Sequence, residues 1–174
     1  MTWFGYTFAQ WALFFFLYSF LGWIWESTYV SLREKRWVNR GFLNGPLLPI
    51  YGSGAVSILL FTLPVAQNPI LVFLMGMAGA TLLEYVTGSL LESMFHVRYW
   101  DYSMYRFNLN GYICLPASLC WGAFSLLMIR VIHPVVSGWV TMLSPAGALT
   151  AALALSAFFA ADLFASLREA VDMR

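Results

Sequence analysis

Glu26, Glu84, Glu92 and Asp162 stand inside long apolar runs. If those runs cross a bilayer, an ionised acid at the centre costs at least ~2.5–3.5 kcal/mol and less toward an end. Such a group must face protein or trapped water, or keep its proton. Gly76, Ala80, Glu84, Gly88, Glu92 and His96 recur at a spacing of four, which places them on one slowly rotating stripe of a helix. Small residues on a stripe let a neighbouring backbone come close, so the acids are expected to project into a seam between helices. Glu84 is the deepest and has no basic neighbour in sequence; Glu26, Glu92 and Asp162 lie nearer an end, where pairing with arginine is an equal reading. Glu92 and His96 have a spacing that could share a metal, but one such pair is a weak signal, and a helix-end histidine favoured by the dipole is the preferred reading. His133, before Pro134, carries no chemical signal.

Two further stretches carry polar chemistry. Residues 39–52 hold Asn39 and Arg40 among two prolines and three glycines, Gly41, Gly45 and Gly52. That composition forbids regular helix until Pro49. Irregular backbone at membrane depth is tolerated only where protein buries it or a cavity meets it. Arg40 with the free N–H groups at the start of the next helix would suit an anion; an arginine meeting lipid headgroups is the other reading. The second stretch, 96–110, centres on Trp100-Asp101-Tyr102, with aromatic residues of interface type and an acid that could clamp Arg40 or Arg98.

The elements that position these residues follow from composition. The 174 residues are 61% hydrophobic and 10% charged, with a mean hydropathy of +0.74. Soluble domains are about 45–50% apolar and about 25% charged, so lipid is the expected solvent. A soluble enzyme, a disordered tail and a disulfide scaffold are excluded, and a net charge of +1 argues against nucleic acid as partner. Cys114 and Cys120 lack metal-ligand spacing and read as buried thiols.

Five stretches can cross a bilayer, which takes about 20 residues each: Phe4 to Val30, Pro49 to about Leu63 (short, tilted or re-entrant), Pro69 to about Phe95, Ile113 to Ile132, and Ser144-Pro145 to about Leu167. With the N-terminus outside, Arg33, Lys35, Arg36, Arg40, Arg98, Arg106, Arg168 and Arg174 fall inside and only Arg130 outside, a strong positive-inside asymmetry. The expected fold is an all-α polytopic integral membrane protein: one transmembrane domain, five helices, N-terminus out and C-terminus in.

A 66-residue shift equates Leu17 with Leu83, Gly22 with Gly88, Glu26-Ser27 with Glu92-Ser93, Arg40 with Arg106 and Leu43-Asn44-Gly45 with Leu109-Asn110-Gly111. Chance would give roughly two or three such identities at ordinary residue usage. The reading is a parallel two-helix repeat, about 4–66 and 69–134, with a fifth helix at about 145–167. Gly22 and Gly88 would sit one turn from paired acids, with Arg40 bridging Glu26 and Glu92; removing one partner of such a buried pair would cost ~3–5 kcal/mol.

The runs Gly22-Trp23…Glu26, Asn39-Arg40-Gly41-Phe42-Leu43, Gly45-Pro46, Pro49-Ile50-Tyr51-Gly52, Glu84-Tyr85, Leu91-Glu92, Trp100-Asp101-Tyr102-Ser103, Phe107-Asn108-Leu109-Asn110-Gly111 and Trp121-Gly122 resemble the CmpB-type family of small membrane proteins, grouped as ABC-transporter permeases of type IV. The resemblance covers roughly residues 15–125. It implies a permease of a bacterial cytoplasmic membrane and carries no catalytic residues over. No GxxxxGK[ST] run occurs, so nucleotide would be bound by a separate ATPase.

The expected function is a permease that binds or moves an anionic or amphiphilic solute or lipid through a polar cavity on the cytoplasmic side. Glu26, Asn39, Arg40, Glu84, Glu92, Trp100, Asp101 and Asn108 are the candidate substrate-binding residues. No catalytic residue, metal or cofactor is expected. Partners are membrane lipids, another copy of the chain, or a membrane or ATPase subunit. The alternatives are an accessory lipid-binding subunit and an intramembrane enzyme using Glu84, Glu92 and Asp101 as acid and base; the enzyme lacks a nucleophile–base pair.

Overall fold

The computed structural model describes residues 2–96, 98 and 100–172; Arg174, counted above among the inner basic residues, lies outside them. The described chain is helical over most of its length. A hairpin of β1 (Thr2–Trp3) and β2 (Tyr6–Thr7) opens it. Phe4 and Gly5 turn it with φ of 50° and 84°, the two positive values that a two-residue type I′ turn requires. α1 (Phe8–Glu34) therefore starts four residues after the expected Phe4. Its start is set by a capping box: Gln10 N–H donates to Thr7 Oγ1 at 3.3 Å while Gln10 Oε1 accepts from Thr7 N–H at 2.8 Å.

α2 (Pro49–Thr62) begins at the proline that the sequence marks and continues as a 3-10 turn, Leu63–Val65. α3 (Pro69–Phe95) is capped by Asn68, whose Oδ1 accepts from Ile70 N–H at 3.0 Å and Leu71 N–H at 3.2 Å. A second hairpin, β3 (Asn108–Leu109) with β4 (Ile113–Cys114), leads into α4 (Leu115–Thr141). α4 does not stop at Ile132 as expected. A π-helical turn, Met128–Ile132, carries it past Pro134. Proline has no N–H for the regular ladder, and a π turn just before it lets the helix re-form beyond the gap. α5 (Pro145–Asp172) starts where Ser144 Oγ accepts from Gly147 N–H at 3.1 Å.

Four of these helices, α1, α3, α4 and α5, are long and apolar enough to cross a membrane. α2 is shorter: 14 residues rise about 21 Å, against a hydrocarbon core of about 30 Å. The four long stretches expected to cross are thus four helices of spanning length, and the stretch from Pro49, expected to be short, is the short one. Leu82, Leu153, Phe164 and many other large apolar side chains are exposed, as a lipid-facing surface demands.

The chain forms two compact units, Met1–Val56 with Val135–Arg174, and Ser57–Pro134. In the first, α1 packs on α5. Phe16, Leu43 and Leu47 are buried there, with Ala12, Phe15, Leu155, Phe159 and Leu163 against them. Leu43, Leu47 and Leu48 of the irregular run before Pro49 are therefore buried in protein, while residues 39–42 and Asn44 are exposed, and Leu48 N–H donates to the Ser19 carbonyl at 3.0 Å. In the second unit α3 packs on α4; Cys114 is buried there as expected, but Cys120 of α4, also expected to be buried, is exposed, as an apolar thiol can be where lipid is the solvent. A Cβ at Gly122 would meet the Phe73 ring, and Thr81 Oγ1 donates to Ser118 Oγ at 2.8 Å.

Candidate functional site

Within the unit Met1–Val56 with Val135–Arg174, the polar residues form a chain of bonds around the loop after α1. Arg40 Nε and Nη2 both donate to Glu26 Oε1 at 3.1 Å, and Arg40 N–H donates to Ser27 Oγ at 3.1 Å. Trp23 Nε1 donates to Asn39 Oδ1 at 2.6 Å, and Asn39 Nδ2 to the Asn44 carbonyl at 3.0 Å. α5 holds the far side of this loop. Asp162 Oδ2 accepts from Gly45 N–H at 2.9 Å, Ser166 Oγ from Asn44 N–H at 3.2 Å, and Glu169 Oε2 from Asn44 Nδ2 at 3.0 Å. Arg40 is thus committed to a carboxylate rather than left to an anion at the start of α2. The pair is also less enclosed than the buried bridge expected, with Arg40 47% and Glu26 26% exposed at the side chain.

Within Ser57–Pro134 the predicted stripe of α3 is realised, and Gly76, Glu84, Gly88 and Glu92 each meet α4 or the loop between α3 and α4. A Cβ at Gly76 would strike Ser125 of α4. Glu84 Oε1 accepts from Tyr102 Oη at 3.0 Å and Oε2 from Trp121 Nε1 at 3.2 Å. Gly88 lies under Trp100 and Tyr112. Glu92 accepts from Arg98 Nε at 3.0 Å and Nη2 at 3.3 Å. His96 ends the helix in the left-handed region with φ 55°, its N–H on the Glu92 carbonyl at 2.9 Å. So Glu92 is held by Arg98. Arg98 also clamps Asp101, at 3.2 Å. Arg106, equated with Arg40 by the repeat, instead lies over the Phe107 ring at 5.6 Å.

The loop between α3 and α4 folds on itself. Trp100 Nε1 donates to the Tyr112 carbonyl at 2.9 Å, and Arg98 stacks over the Tyr112 ring at 5.1 Å. Asn108 Nδ2 donates to the Tyr105 carbonyl at 2.6 Å while its Oδ1 accepts from Gly111 N–H at 3.0 Å. Asn110 and Gly111 turn the hairpin with φ of 54° and 73°. Glycine is required at 111 twice over: a Cβ there would also sit 2.6 Å from both Arg98 Nη1 and Asp101 Oδ1. Hydrogen bonds from the Ser103 hydroxyl and N–H hold the Asp101 carboxyl below the usual range, and Arg98 reinforces them. Burial, and then the adjacent Glu84, push Tyr102 up to about 12, so its phenol is a proton donor at any physiological pH.

Thus Glu26, Asn39 and Arg40 are brought together in one unit, and Glu84, Glu92, Trp100, Asp101 and Asn108 in the other. Sequence reasoning missed the two groups that hold Glu84. Tyr102 and Trp121 lie 18 and 37 positions from it, and their one signal was membership of the Trp100-Asp101-Tyr102-Ser103 and Trp121-Gly122 runs. The openings beside this network are apolar. A shallow groove of about 480 Å³ runs along Met77, Thr81 and Tyr85 of α3, Leu109 and Ile113 of the hairpin, and Ser118 of α4.

The chain matches, over residues 13–167, the family described as "Putative ABC-transporter type IV". It belongs to that family. Four spanning-length apolar helices and this membership make it a membrane protein of ABC-transporter type. No curated protein and no solved structure matches it.

Proposed function

We propose that this family member is the membrane-embedded, permease-like component of a transport system. Its working centre is Glu84, and it acts on an amphiphile whose headgroup carries hydrogen-bond donors. The observation that carries the reading is the set of partners around Glu84. Among the described residues it is held by uncharged side chains alone, Tyr102 from the loop and Trp121 from α4. Asp162, by contrast, meets a backbone N–H of the loop before α2, and Glu26 and Glu92 face arginines. A rotating phenol can yield its place to an ammonium group. The anionic branch of the expected function has less support, because Arg40 and Arg98 are already committed to carboxylates. The apolar groove along Met77–Tyr85 offers the space an acyl chain needs.

In this proposal α2 completes a fifth crossing, and the asymmetry of basic residues places the N-terminus out and the C-terminus in. The family name supports a separate ATPase partner, since no phosphate-binding loop occurs in these 174 residues. The test is photo-crosslinking in vesicles that contain a phosphatidylethanolamine with a photoactivatable acyl chain. Label is expected to concentrate on residues 77–121 and to fall several-fold in Glu84→Gln, at an unchanged unfolding midpoint. Label spread evenly over all exposed helix faces, or unaffected by Glu84→Gln, overturns the reading.

A further inference from the structure

The last turns of α1 carry a second surface, which shares no residue with the Glu84 network. Trp25, Tyr29 and Leu32 follow at spacings of four and three, so they share one helix face, and they are 69%, 57% and 75% exposed. Arg33, Lys35 and Arg36 come next, then Trp37, itself exposed. Glu34 pairs with Arg36 at 2.7 Å. Arg33 and Lys35 have no carboxylate partner among the described residues, so the segment 33–37 keeps three cations against one acid.

This belt is held rigidly. Lys35 takes φ 53°, and its N–H meets the Ser31 carbonyl. Arg36 N–H reaches the same carbonyl at 3.2 Å, and Val38 N–H meets Ser31 Oγ at 2.9 Å. The Trp37 ring lies edge-on to Trp23 at 6.1 Å. A helix commonly ends on glycine in this left-handed conformation. Here a lysine occupies it, which keeps a charge at the helix end where glycine would be less strained.

The order of chemistry along the chain is apolar face, cations, aromatic ring. A phospholipid presents the complement in the same order, acyl chain and then phosphate. An acidic soluble protein would match the cations and leave Trp25, Tyr29 and Leu32 uncovered. We infer that the C-terminal end of α1 is a preorganised site for an anionic phospholipid, with its phosphate on Arg33 and Lys35 and its chain along Trp25, Tyr29 and Leu32.

The full chain in nanodiscs of phosphatidylcholine with a minor fraction of phosphatidylglycerol provides the test, with native mass spectrometry counting each lipid retained. Phosphatidylglycerol is expected to be enriched. The double variant Arg33→Gln with Lys35→Gln should lower that enrichment about 25-fold, from about fivefold per cation. Lys35→Arg, which keeps the charge, should retain it, as should Arg168→Gln on α5. Equal retention of the two lipids by the wild-type protein, full enrichment in the double variant, or an acidic protein retained in place of lipid would each overturn the inference.

Discussion

Gly22 and Gly88 are equated by the 66-residue shift, yet replacing each by alanine should give different results. A Cβ on Gly22 would lie 2.7 Å from Tyr51 Cδ1 and closer still to its Cβ and Cγ. Those atoms are the root of the side chain, so no rotation of the ring relieves them and the start of α2 must move off α1. Overpacking of this kind costs about 1–3 kcal/mol, and contact with a side-chain root belongs at the upper end. Alanine returns about 1 kcal/mol through helix propensity, leaving Gly22→Ala destabilised by about 2 kcal/mol. On Gly88 the Cβ would meet Trp100 Cζ2 at 3.0 Å and Tyr112 Cδ1 at 3.1 Å. These are ring edges on a loop and can give by a few tenths of an ångström, so the propensity gain roughly cancels the crowding. Gly54→Ala, with nothing within 4 Å, is the control and should be stabilised by up to about 1 kcal/mol. Unfolding by dodecyl sulfate in mixed micelles, followed by circular dichroism, measures all three. If Gly22→Ala and Gly88→Ala differ by less than about 0.5 kcal/mol, the close approach of Tyr51 to α1 is refuted.

The Arg40–Glu26 pair is half exposed, so a double-mutant cycle on Arg40→Ala and Glu26→Gln should return a coupling of about 0.2–1 kcal/mol, not the ~3–5 kcal/mol of a buried bridge; a value in the higher range would show that the pair is enclosed. Tyr102 titrates at about 12 when folded and at about 10 when unfolded. The folded state therefore keeps a proton that the unfolded state loses between those values, and the associated stability is complete below pH ~10 and declines as pH rises toward 12. Tyrosinate absorbance should show one late-titrating tyrosine fewer in Tyr102→Phe, and an unchanged titration would place Tyr102 away from Glu84.

Several features were legible from residue order because they depend on local chemistry. The starts of α2, α3 and α5 lie at Pro49, Pro69 and Pro145, where ring geometry and the missing N–H suit a first helical turn. The spacing of four from Gly76 to His96 defined a stripe because helix geometry alone determines which residues share a face. Hydropathy gave the membrane, since apolar surface on this scale has no other solvent.

Tertiary structure decided what each of those residues meets. Arg98 holds Glu92 and Asp101 at once, and Gly111 is brought back against both Arg98 and Asp101; no spacing rule predicts where a long loop returns. Tyr102 and Trp121 reach Glu84 from two separate elements, so their role existed nowhere in local sequence. The length of α4 was misread for a related reason: Pro134 is a helix stop by local rule, and only the π turn at Met128–Ile132, formed in the packed helix, lets the ladder resume beyond it.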